Sequence, residues 1–205
     1  MRCNYCKTPY ERVSYNIGTN AVGVLTKEGI VFAVEKGVSI PDFSAKSNKV
    51  WKIDKFLMCA ASGPYVEIPK VVEYACSQYD CTEPNRCFAR NLYFHGLVEK
   101  SNVSLLLAGL TVGIKSDFWC VTKNGASKCD TYFAIGPRAE CANKFLKKNY
   151  KKNLTLDKGL DLALLTMQET LGNMFNSYNV ELAQFTKCDL INVQSHMDIE
   201  RLLKK

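Results

Sequence analysis

Two hydrophobic periods occur along this chain in separate blocks, and the order of those blocks constrains its fold more than any other feature. Asn20–Thr26 and Ile30–Lys36 are β-branched runs joined by Lys27-Glu28-Gly29, a hairpin pattern. After a loop around Pro41, Lys49–Ile53 and Phe56–Ser62 form a second hairpin turned at Asp54-Lys55. Helical spacing begins only after Gly63-Pro64. Ile68, Val71, Val72, Ala75 and Cys76 then share one face, with Pro69 early enough for a first turn. A second helix is expected over Glu83–Lys100, and Val103–Gly113 reads as a strand buried on both faces. Phe118–Val121 and Asp130–Ile135 are expected to pair around the Asn124-Gly125 turn. Helical spacing returns over Arg138–Tyr150 and over Leu156–Leu171, the latter entered through Thr155 as N-cap. Strands Asn179–Phe185 and Asp189–Val193 and a last helix from Ser195 to Leu203 complete the order. Segregated runs of this kind predict an α+β fold, with two antiparallel sheets sandwiched between helix layers, rather than alternating βαβ units.

Composition narrows the class further. The 205 residues are 47% hydrophobic and 23% charged, which excludes disorder, coiled coil and collagen for the chain as a whole. Its longest apolar stretch, Val103 to Ile114, covers 12 residues, short of the roughly 20 a membrane helix needs. MRCNYCKTPYERVSYN shows no apolar signal region, so neither a membrane nor a secretory route is expected. The net charge of +7 is concentrated partly at Lys144, Lys147, Lys148, Lys151 and Lys152, whose helical spacing suggests a solvated face rather than a nucleic-acid surface. Cys3 and Cys6 are spaced like half a zinc site, but the remaining cysteines and two histidines supply no regular partner pair, so no cofactor is expected. Cys59, Cys120 and Cys141 lie within apolar patterns, as reduced buried thiols do.

The element order and a set of strings, spaced over nearly the whole chain, carry a resemblance. They are GTNAVGVLTKEGIVFAVEK (Gly18–Lys36), SNKVWKID (Ser47–Asp54), CAASG (Cys59–Gly63), AIGPRAECANKFLKKNY (Ala134–Tyr150), LTLDKGLDLALLTMQETL (Leu154–Leu171) and NVELAQF (Asn179–Phe185). Together they resemble the subunits of the 20S proteasome core particle, which share the four-layered αββα fold of N-terminal-nucleophile hydrolases. That family contains proteolytic β-type and non-catalytic α-type subunits. A catalytic subunit uses an N-terminal threonine as nucleophile with its own α-amine as base, supported by an Asp and a Lys. In that pattern Thr19 after Gly18 would be the nucleophile, with Glu35 and Lys49 as supports. Against it, Glu35 is a methylene longer than Asp. The Asp-x-x-Ser-Gly-Gly segment of catalytic subunits is replaced by FNSYNVELA (Phe175–Ala183), and the VEK and ECANKFLKKNY strings are α-like.

The resemblance therefore implies a non-catalytic α-type subunit, one position in the heptameric outer ring that gates substrate entry. Its partners would be the other α and β subunits and the C-terminal tails of regulatory particles, in cytoplasm and nucleus. On this reading Lys49 and Gly63 line the pocket between neighbouring subunits where an activator's terminal carboxylate docks, with Pro64 where the family has an aliphatic residue. Residues 1–17 would hold only a reduced gate segment and ring helix, and 18–205 a single subunit domain.

Overall fold

Each strand assigns its side chains alternately to two faces, and here both faces of both sheets are apolar. The computed structural model describes residues 18–36, 49–80, 88–89, 97–111, 115–186, 192–194 and 196–204. The first sheet contains β1 (Ala21–Leu25), β2 (Gly29–Glu35), β8 (Tyr132–Ile135), β9 (Val180–Thr186) and β10 (Asn192–Gln194), in the order β10-β9-β2-β1-β8. The second contains β3 (Val50–Asp54), β4 (Leu57–Ser62), β5 (Ser104–Thr111), β6 (Lys115–Thr122) and β7 (Gly125–Lys128), in sequence order. Every described pairing is antiparallel.

Three cores follow from the alternation. Ile30, Phe32 and Val34 of β2 meet Met58, Ala60, Leu106, Ala108 and Phe118 between the sheets. Val31 and Ala33 point the other way, onto α4 (Leu156–Leu171), α3 (Ala139–Asn149) and α5 (His196–Leu203). Leu57, Cys59, Leu105 and Leu107 face α1 (Ile68–Gln78), Phe88, Ala89 and Val98 of α2 (Leu97–Lys100). The result is helix, sheet, sheet, helix. Because β4 and β5 face apolar layers on both sides, their runs read as continuous rather than alternating. Each fully buried Val, Leu, Ile or Phe contributes roughly 1.5–3 kcal/mol.

Three expectations change in detail. The hairpin at Asn124 is formed by β6 with β7, not with Asp130–Ile135; that segment crosses to the first sheet, where Ala21 pairs with Ile135. Hairpin chemistry at Asn124-Gly125 fixes only the nearest partner, whereas Tyr132–Ile135 completes the edge beside β1. Thr155 occupies the N-cap of α4, but its side chain makes no capping hydrogen bond; its carbonyl accepts from Gly159 N–H at 2.9 Å. Cys141 is disulfide-bonded rather than a reduced thiol, while Cys59 and Cys120 are free and buried as expected. Of the expected helix Glu83–Lys100, only residues 88–89 and Leu97–Lys100 are described. The Cys3/Cys6 pair, residues 1–17 and the Ser195 cap lie outside the described residues.

Candidate functional site

The segment entering β1 is pressed between two backbones. A Cβ on Gly18 would lie 2.2 Å from the nitrogen of Gly63, and one on Gly136 would lie 2.7 Å from the carbonyl oxygen of Thr19. Gly136 also sits at φ +110°, a region that side chains avoid. These glycines let the ends of β4 and β8 close on the Gly18-Thr19-Asn20 segment, bringing residues from both sheets to one edge.

Asn20 ties that edge together. Its backbone N–H and its Nδ2 both donate to Oε2 of Glu35, at 2.9 and 2.6 Å, and its Oδ1 accepts from the N–H of Arg138 at 2.8 Å. The Glu35 N–H donates in return to the Asn20 carbonyl at 2.8 Å, because the two residues face each other across β1 and β2. Arg138 also donates through Nη1 to the Thr170 carbonyl, which fastens the start of α3 to α4.

Lys49 precedes β3 and is 3% exposed. Its N–H donates to Oε2 of Glu181 at 2.8 Å, so a β9 side chain of the first sheet holds the start of β3 in the second. Burial pulls the Lys49 ammonium below the ordinary lysine pKa, while the nearby charges of Glu35 and Glu181 act in the opposite direction. Burial likewise raises the Glu181 carboxyl above the usual carboxylate range. The Lys49 and Val50 amides and the charges of Lys36 and Lys49 offset that rise. The Lys49 Nζ lies 5.2 Å from the centroid of the Tyr65 ring.

The expected site residues thus share one edge. Thr19 Oγ1 is buried without a hydrogen-bond partner among the described residues, so neither Glu35 nor Lys49 hydrogen-bonds it. Glu35 is engaged by Asn20. Lys49 and Gly63 lie at the start of β3 and the end of β4, and the Ala61 N–H donates to the Lys49 carbonyl at 3.2 Å. Asn20 and Glu181 are the residues sequence reasoning missed. The signal for Glu181 was present: alternation puts it on the same β9 face as Ala183 and Phe185, a charge aimed into an apolar layer.

A family model described as "Proteasome subunit" matches residues 15–185. The chain belongs to the proteasome subunit family. This proteasome subunit is 26% identical to "Proteasome subunit alpha type-5" of Drosophila melanogaster, over 87% of its own length and 82% of the relative's. It is 30% identical to the protein of the same name from Dictyostelium discoideum, over 82% and 78% of the two lengths. It is also 29% identical to "Proteasome subunit alpha" of Halobacterium salinarum, over 78% and 69%. These relatives place the proteasome subunit on the α-type side of its family.

Proposed function

We propose that the chain is a structural, non-catalytic α-type subunit of the 20S core, occupying one position of a heptameric outer ring with other α subunits and stacked on β subunits. The observation that carries this reading is the run of α-type relatives over most of the chain, and a Thr19 hydroxyl without a hydrogen-bond partner among the described residues supports it. Its work is architectural: it restricts entry to the proteolytic chamber and receives regulatory particles, in cytoplasm and nucleus, within protein degradation. Lys49 and Gly63 contribute this subunit's part of an intersubunit pocket for a C-terminal carboxylate, the lysine supplying the countercharge. Purification of the native particle followed by intact-mass analysis tests the assignment. The chain should copurify with α and β subunits and retain the residues before Thr19. A chain starting at Thr19 would overturn the assignment in favour of an autoprocessed threonine hydrolase using Thr19, Glu35 and Lys49.

A further inference from the structure

A lysine that captures a carboxylate is expected to present its ammonium to the incoming group, and Lys49 does not. It is 3% exposed, with Glu35 and Glu181 near its charge and the Tyr65 ring at cation–π distance, 5.2 Å from Nζ to centroid. The ring is itself 59% exposed. Tyr65 stands in the turn that follows Gly63-Pro64 and leads into α1, and the Pro64 carbonyl accepts from the N–H groups of Glu67 and Ile68 at 3.0 and 3.2 Å. The backbone of the turn is therefore held, while a mostly solvated side chain can change rotamer at little cost. A phenol ring is solvated in either position, so what the swing gives up is mainly the contact with the ammonium.

We propose that the Tyr65 ring is a lid on the Lys49 ammonium, and that a C-terminal carboxylate reaches the lysine only when the ring turns outward. The proposal rests on the reading of Lys49 as a carboxylate receptor and adds the step that regulates it. The exchange is feasible because a charge-assisted hydrogen bond to a carboxylate is stronger than an exposed cation–π contact. It also gives Pro64 a role: proline fixes the direction of the turn that presents the ring.

Two measurements separate the lid from the docking reading. In the full chain, brief treatment with a limiting acetyl N-hydroxysuccinimide ester transfers an acetyl group to the neutral lysine amine, and the N-hydroxysuccinimide that leaves takes up the amine proton. Peptide mass mapping then follows acetylation of Lys49 against the exposed Lys52. Tyr65→Ala should raise Lys49 acetylation several-fold with Lys52 unchanged, and the ring-retaining Tyr65→Phe should behave as wild type. Equal Lys49 rates in Tyr65→Ala and wild type would overturn the lid. In the assembled particle, a short peptide with a free C-terminal carboxylate is compared with its C-terminal amide. Tyr65→Ala should tighten carboxylate binding about two- to five-fold, the range of an exposed cation–π contact. Unchanged carboxylate affinity would also overturn the lid. Faster Lys49 acetylation with no carboxylate-specific binding in either variant would overturn the docking reading and leave the lid standing.

Discussion

Replacing Glu181 by Gln and by Ala separates the two roles of this carboxylate, as an acceptor and as a buried charge. Glu181 is 5% exposed, and its Oε2 takes the Lys49 N–H at 2.8 Å. Glu181→Ala leaves that amide without its acceptor, at about 1–3 kcal/mol, and removes one of the two carboxylates near the Lys49 ammonium. A loss of about 2–4 kcal/mol in all is expected, or roughly 5–15 °C in Tm for a chain of this size. Glu181→Gln keeps an oxygen for the amide and drops only the charge. Its stability at neutral pH should lie within about 1 kcal/mol of wild type, since a buried carboxylate gains little net from being charged.

The pH dependence follows from the direction in which burial moves the carboxyl. The folded Glu181 pKa lies above its unfolded value of about 4.3, so between the two the folded state binds more protons. Its contribution to stability is then fully present below about 4.3 and is lost as pH rises through the folded pKa, at about 1.4 kcal/mol for each pH unit between the unfolded and folded values. Wild type should therefore gain on Glu181→Gln as pH falls from neutral toward that range. Urea denaturation followed by fluorescence of Trp51 and Trp119, at steps from about pH 4.5 to 8, measures the difference. A wild-type-to-Gln difference that stays constant with pH would refute the reasoning, and so would a Glu181→Ala variant no less stable than Glu181→Gln.

Three further perturbations probe other parts of the fold. Phe118→Ala removes a fully buried ring whose centroid lies 6.0 Å from that of Phe32 between the sheets, and should cost roughly 3–5 kcal/mol in urea denaturation. Gly136→Ala places a methyl 2.7 Å from the Thr19 carbonyl at φ +110°, and should cost about 1–3 kcal/mol with a lowered Tm. Thr19→Val removes a hydroxyl with no partner among the described residues, so its stability should stay within about 1 kcal/mol of wild type and its incorporation into the particle should be unchanged. Loss of particle incorporation or activity from Thr19→Val would point instead to a working hydroxyl.

How much of this was legible depended on whether the determining contacts were local. Hairpins β1–β2 and β3–β4 were visible because turn residues and flanking β-branched runs are adjacent in sequence. Helices α1 and α4 were visible from the spacing of Ile68, Val71 and Val72, and of Leu160, Ala163, Leu164 and Met167. The destination of Tyr132–Ile135 was not, since both sheets offer an edge to a short strand and only packing across the molecule chooses between them. The site divides in the same way. Thr19, Glu35, Lys49 and Gly63 were found through strings close to the strand ends, whereas the partner of Lys49 lies 132 residues away in sequence.

That distance also bears on what kind of site the edge can be. A threonine hydrolase needs its carboxylate and lysine to act on the threonine, and here the Glu35 carboxylate accepts from Asn20 while no group hydrogen-bonds Thr19 Oγ1 among the described residues. Asn20, directly after Thr19, occupies Glu35 with two donors, and Glu181 holds the Lys49 backbone while adding a second negative charge near its ammonium. These hydrogen bonds form within a scaffold of paired strands, close glycine contacts and a buried lysine. The polar groups join β1 to β2 and β9 to the start of β3. An edge built this way keeps Lys49 buried among paired strands, with the Tyr65 ring 5.2 Å from its Nζ. On the proposed α-type reading such an edge suits reversible capture of an anion better than bond cleavage, and the Lys49–Tyr65 pair rather than Thr19 is where that reading is tested.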